Sequence, residues 1–206
     1  MRFSILFLSL FIMNSIHAGV LKLGLMVGAN SALNQFDVST PLQGFDSKLG
    51  YNGNAFARIS IAKFIIQPEL GYLNNRVGFT VLENSKTVDA NLSLGQLYSS
   101  ALLGVKLGNI RLAGGPMVLY LANQSSEQLT SLDTYLKQSD NSNKINWGGQ
   151  ANLGVDISKR WSVDAKYYHS FSNTEYNAII NGNTNSFKGN TGMISLSIGF
   201  SLFNTN

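Results

Sequence analysis

The sequence predicts an all-β protein, an eight-stranded antiparallel up-and-down transmembrane β-barrel with short periplasmic turns and long extracellular loops. Three observations predict it. Eight runs alternate apolar and polar residues with period two. The links between these runs alternate long and short, so a periplasmic N-terminus places every long link outside the cell. A leader-like segment, Met1 to Ala18, precedes the first run.

The leader carries Arg2, then an apolar stretch from Phe3 to Met13 broken only by Ser4 and Ser9, then Ser15-Ile16-His17-Ala18 with a small residue at the cut. The stretch is too short to span a bilayer as a helix, and no stop-transfer pattern follows. Residues 1–18 therefore read as a signal peptide and 19–206 as the barrel domain, the competing reading being an N-terminal membrane anchor.

In the first run Leu21, Leu23, Leu25, Val27 and Ala29 share one face, while Lys22, Gly24, Met26, Gly28 and Asn30 share the other. In a bilayer the aliphatic face meets lipid and the polar face lines the lumen. The second run, about Gly50 to Ala62, alternates Ala55, Ala57, Ile59 and Ile61 with Asn54, Phe56, Arg58 and Ser60. Ala62-Lys63 makes a tight link to the third run, Phe64 to Leu73, where Ile66, Pro68 and Leu70 oppose Gln67, Glu69 and Gly71. Pro68 lacks a ladder donor and signals a bulge or weakened pairing.

The fourth run, about Leu94 to Leu107, ends at the Gly108-Asn109 hairpin signal. The fifth covers Ile110 to Leu121, and the sixth Trp147 to Ile157. Ser158-Lys159-Arg160 is its turn into the seventh, Trp161 to about Phe171. The last, about Met193 to Phe203, puts Ile194, Leu196, Ile198, Phe200 and Leu202 on the lipid face. Phe203 has the inward parity, and Asn204-Thr205-Asn206 follow it. The long links are Ser31 to Leu49, Asn74 to Ser93, Ala122 to Asn146 and Ser172 to Gly192, rich in Asn, Ser, Thr, Asp and Gly. The third link carries Leu129, Leu132 and Leu136 at helical spacing, which predicts a short helix around Glu127 to Leu136.

Composition narrows the function. Charged residues are 13% of the chain, about half the usual share, and cysteine is absent. A disulfide framework, a thiolate metal site and a cysteine nucleophile are excluded. The net charge of +4, Arg2 included, is too mild and too evenly spread for nucleic-acid binding. One histidine after the leader and scattered carboxylates offer no metal cluster and imply no cofactor.

The inward parity collects charges in the lumen: Lys22, Arg58, Lys106, Arg111 and Lys166 against Glu69, Asp156 and Asp164. Hairpin register places Arg58 diagonal to Glu69, Lys106 opposite Arg111, and Asp164 diagonal to Asp156 and two residues from Lys166. Asp156 is the available carboxylate between Lys106 and Arg111. Eight strands leave an interior that side chains can fill, so the network reads as a polar core of paired charges. The competing reading is a narrow conducting path or proton pathway.

Three stretches carry a family resemblance. FIIQPELGYL from Phe64, RLAGGPMVLYLAN from Arg111 and WSVDAKYYHSF from Trp161 resemble the third, fifth and seventh strands of PorT-type small outer-membrane barrels. That resemblance implies an OmpX- or OmpA-like architecture and admits a part in protein secretion. A second, weaker likeness concerns YYHSFSNTEYN, which is similar to the H-x-S-N segment of outer-membrane lipid A deacylases. It implies His169 as base, Ser172 as nucleophile and Glu175 as orienting acid, although the serine comes three residues after the histidine rather than two.

The expected role is non-catalytic: envelope structure, or surface binding through the long links. The expected partners are outer-membrane lipid and lipopolysaccharide, the barrel-insertion machinery and an extracellular ligand at the loops. The alternatives are a lipid A-modifying hydrolase centred on His169, a narrow porin or secretion-associated barrel, and a water-soluble lipid carrier of the lipocalin kind, which would need no detergent.

Overall fold

A computed structural model gives the fold, describing residues 19–36, 42–83, 86–126, 135–138, 144–172, 174–180 and 183–205. The leader lies outside these residues. The strands are β1 (Gly19–Phe36), β2 (Leu42–Ile61), β3 (Phe64–Glu83), β4 (Lys86–Leu107), β5 (Ile110–Ser126), β6 (Tyr135–Gln138), β7 (Ile145–Asp156), β8 (Trp161–Ser170), β9 (Thr174–Ile180) and β10 (Asn183–Asn204). Eight of them close a ring in the order β1-β2-β3-β4-β5-β7-β8-β10, with β10 returning to β1. Every pairing is antiparallel. The short strands β9 and β6 extend this sheet from the far end of β10.

The strands are staggered. A row of neighbours runs from Leu119 through Tyr98, Gly71, Asn54, Met26, Gly199 and Ser162 to Asp156. Asp156 bonds to Asn109, so the row regains β5 ten residues from its start. A stagger of this kind tilts the strands to about 40° and lets side chains fill the interior.

The faces are inside out relative to a water-soluble domain. Leu25, Val27, Leu70, Leu103, Leu153, Leu196 and Ile198 are exposed, while Asn54, Arg58, Gln67, Glu69, Arg111, Asp164 and Lys166 are buried. Aromatic residues mark both rims of the apolar band. Trp161 packs on Phe200 at 4.8 Å near the short turns, and Tyr51 faces Tyr72 at 6.2 Å toward the long links. Beyond that pair, outward positions turn charged: Lys48 and Arg76 stand opposite one another, both exposed.

Two short turns are two-residue hairpins, Ile61↔Phe64 and Leu107↔Ile110. Gly108 takes φ 61°, which suits glycine, and Ala62 takes φ 52°, where its Cβ is crowded. Pro68 produces weakened pairing without a bulge. The rungs Ala57–Pro68 and Arg58–Gln67 are missing, yet the register either side is unchanged.

The structure corrects three expectations. The strands run far into the long links, leaving only residues 84–85 between β3 and β4. Asn, Ser, Thr and Asp interrupt the apolar period there, while the backbone keeps pairing. In the third link Tyr135 and Leu136 belong to strand β6 rather than a helix, paired to β9 at Ile179 and Ala178. Ladder pairing overrides a leucine spacing too short to nucleate a helix alone. The rest of that predicted helix, residues 127–134, lies outside the described residues. Finally, Phe203 faces outward. A bulge beside Leu23/Gly24 inserts one residue into β10, so Phe203 pairs with Leu23 and both Leu202 and Phe203 are exposed. One extra residue flips the parity of everything beyond it.

Candidate functional site

The lumen holds the chain's densest chemistry, and all eight charged side chains assigned to it from parity are inside or at its mouth. At the short-turn end four cations surround one carboxylate. Lys106 Nζ lies 2.8 Å from Asp156 Oδ2, Arg111 Nε 3.0 Å and Arg58 Nη1 3.3 Å from Oδ1, and Lys22 Nζ 3.7 Å from Oδ2. Deeper in, Arg111 Nη1 and Nη2 each donate to one oxygen of Asp164 at 3.1 Å, the planar fork matching the carboxylate. Asn152 and Ser162 also donate to Asp164. Gly154 makes room for this pair: a Cβ there would lie 2.6 Å from Arg111 Nη2 and 2.5 Å from Asp164 Oδ1.

Glu69 forms the third layer. Lys166 Nζ donates to its two oxygens at 2.8 and 2.9 Å, and Gln67, Gln150 and Tyr98 donate at 2.6, 3.0 and 3.4 Å. Both Glu69 and Lys166 have side-chain exposure of 0%.

Above the charges the lumen turns apolar. Leu73, Tyr98, Met117, Leu119, Tyr168 and Met193 form one buried cluster, with Tyr98 and Tyr168 edge-on at 5.8 Å. Toward the long links amides and hydroxyls take over. Asn30 donates to Asn75, while Asn52 donates to Ser195 and accepts from Ser197.

The partners differ in part from the hairpin geometry. Lys106 stands opposite Arg111 with Asp156 between them. Arg58, however, does not reach Glu69. Its guanidinium lies over Phe56 at 4.9 Å, its Nε donates to Gln67, and its Nη1 goes to Asp156. Lys166 goes to Glu69 rather than to its strand neighbour Asp164. Both bridges cross the barrel: β2 and β7, like β3 and β8, are four positions apart in the ring of eight. Neighbour-strand rules describe one wall, and in so narrow a ring the opposite wall is equally near. Sequence parity puts Gln67 on the inner face with Glu69, but carries no signal of which carboxylate it or the buried Gln150 and Tyr98 would reach.

His169 sits on the outer wall, stacked on Tyr167 at 6.2 Å and edge-on to Phe171 at 5.6 Å, with Nδ1 3.5 Å from the Tyr167 hydroxyl. Ser172 Oγ accepts from the Trp147 backbone N–H at 3.3 Å. The Glu175 side chain lies outside the described residues. Among the described residues no three His, Asp or Glu side chains gather as a metal site.

The outer membrane protein beta-barrel domain model matches residues 13–176. No curated protein matches the chain. Among solved structures, it is similar to Neisserial surface protein A at 14% identity, over 87% of this chain and 97% of that one, with TM-score 0.49. Outer membrane protein W of E. coli is 17% identical over 88% and 97%, TM-score 0.47. Ail, the attachment invasion locus protein of Yersinia pestis, is 11% identical over 87% and 98%, TM-score 0.42. With its closed eight-stranded ring, lipid-facing apolar band and family match over most of its length, this chain belongs to the outer membrane protein beta-barrel domain family and resides in the outer membrane.

Proposed function

We propose that this barrel is a closed, non-catalytic envelope protein whose long-link end, turned to the cell exterior, is an interaction platform. One observation carries the reading: all 20 residues of β3 pair with β4, from Phe64↔Val105 to Glu83↔Lys86. Twenty residues span about 65 Å along a strand, or about 50 Å of height at a tilt of about 40°. An outer-membrane apolar band is about 25 Å tall. Roughly half of this hairpin therefore stands clear of lipid as paired sheet, beginning near Lys48 and Arg76. A paired backbone gives up less entropy on binding than an unpaired loop. The PorT-type motifs fit this reading, with lipid and lipopolysaccharide around the barrel and an extracellular ligand at its rim.

The apolar cluster around Tyr98 and Tyr168 supports closure, since it puts a dry layer across the lumen. The stacking of His169 on Tyr167 supports an interfacial anchor rather than a catalytic base. Two measurements test the proposal. In planar bilayers the purified protein is expected to show no stepwise conductance. On intact cells a membrane-impermeant amine reagent is expected to label Lys144, exposed at the long-link end, and to spare Lys63 and Lys159 on the short turns. Conductance steps, or labelling of the turn lysines on sealed cells, would overturn the closed lumen or the orientation. Loss of a lipid A deacylation product in a His169→Ala strain would replace this reading with the hydrolase.

A further inference from the structure

The short-turn mouth of the lumen is unbalanced in charge. Lys22, Arg58, Lys106 and Arg111 converge there on Asp156, and Asp164 is already held by both arms of Arg111. Four cations thus face two carboxylates, an excess of two positive charges. Buried charge without a counter-charge is costly, because the low-dielectric wall replaces water poorly. The groups are also not fully engaged. Arg58 is 2% exposed, and its Nη2 has no hydrogen-bond partner. Lys22 Nζ, at 3.7 Å, stands beyond hydrogen-bond reach of Asp156.

Lys22, Arg58, Lys106 and the Asp156 carboxylate line a half-enclosed cavity of about 360 Å³, with Ser60 adding a hydroxyl. That is the space of roughly a dozen waters. The turns around it are basic as well. Lys63, Lys159 and Arg160 are exposed, and residues 62–63, 108–109 and 157–160 include no Asp or Glu. A cavity whose lining carries three cations against one carboxylate concentrates anions. The accessible donors are two ammonium groups and a hydroxyl, with the buried Arg58 guanidinium adding charge behind them, a set that matches several oxygens of one multiply charged anion better than a single halide.

We propose that this mouth is a binding site for a phosphate- or sulfate-type oxyanion, held by Lys22, Lys106 and Ser60 with the Arg58 charge behind them. Two sources share that chemistry: a free oxyanion, and the phosphate of a lipid headgroup at the membrane border. The test uses the full chain refolded in a phosphate-free, non-ionic detergent. Inorganic phosphate and dihexanoylphosphatidic acid are titrated separately by calorimetry, against chloride at matched ionic strength. One saturable site is expected, weakened about tenfold or more in Lys22→Gln and in Lys106→Gln, as befits one lost hydrogen bond to a charged group. Lys159→Gln, on an exposed turn, is expected to change affinity less than twofold. Saturation by inorganic phosphate assigns the site to a free oxyanion, and saturation by the phosphatidic acid alone assigns it to a headgroup. Either outcome supports the site. Absence of saturable binding to wild-type protein that keeps its folded gel mobility would overturn it, as would unchanged affinity in both lumenal variants.

Discussion

Replacing Lys166 by methionine is the sharpest probe of whether the lumen is a packed interior. The ammonium lies 2.8 Å from Glu69 Oε2, and neither side chain reaches solvent. At an effective dielectric of about 20 the gross attraction is about 6 kcal/mol, and in a water-filled pore it would be about 1.5. Methionine keeps the stem and removes the charge. Glu69 would retain the neutral donors Gln67, Gln150 and Tyr98, which offset part of the loss. The net cost expected for an orphaned buried carboxylate is about 3–5 kcal/mol. Adding Glu69→Gln should then recover most of it, since no lone charge remains. Urea titration of the four proteins in lipid vesicles, followed by tryptophan fluorescence and by gel mobility, gives the double-mutant cycle. A Lys166→Met cost below about 1 kcal/mol would refute a dry lumen and make the charges those of a hydrated channel.

Two other changes probe the wall itself. Gly115→Ala should destabilise by about 3 kcal/mol, because its Cβ would sit 1.9 Å from the Ala101 carbonyl oxygen, which is backbone and cannot yield. Gly53→Ala, whose Cβ would meet nothing nearer than 3.7 Å, should stay within about 0.5 kcal/mol in the same urea assay. Leu103→Arg puts a charge on the lipid face, where Leu103 is 64% exposed, and should cost about 2–4 kcal/mol in vesicles. A smaller penalty in that assay would mean the residue lies near the membrane border.

The fold was legible because a bilayer imposes one rule on every crossing strand. Leu21, Leu23, Leu25 and Val27 alternate with Lys22, Gly24 and Met26 since one face must meet lipid and the other must not. Where that rule lapses, alternation no longer marks a strand. Lys86 to Ser93 has the polar composition of a loop, yet its backbone is fully paired. The outward face of Phe203 escapes simple alternation because a bulge is a property of the pairing with Leu23, not of the local sequence. In the lumen the inner face could be read residue by residue. The partnership of Lys166 with Glu69 could not, being a chord across the ring between side chains 97 residues apart. The bilayer's rule says which way a side chain points. It is silent on what it meets there.

The seam between β1 and β10 bears on how long the molecule lasts. It joins the two ends of the described chain, from Lys22↔Asn204 to Phe36↔Gly189, along fifteen residues of β1. Such a contact forms late, because its loop spans nearly the whole chain. Once formed, it is slow to open. Parting even a few rungs would leave N–H and C=O groups facing hydrocarbon, each at a cost of several kcal/mol, with no water to take their place. The route out is therefore steep whatever the depth of the native well. Persistence of the barrel is a matter of escape rate rather than equilibrium, and warming should shorten it abruptly.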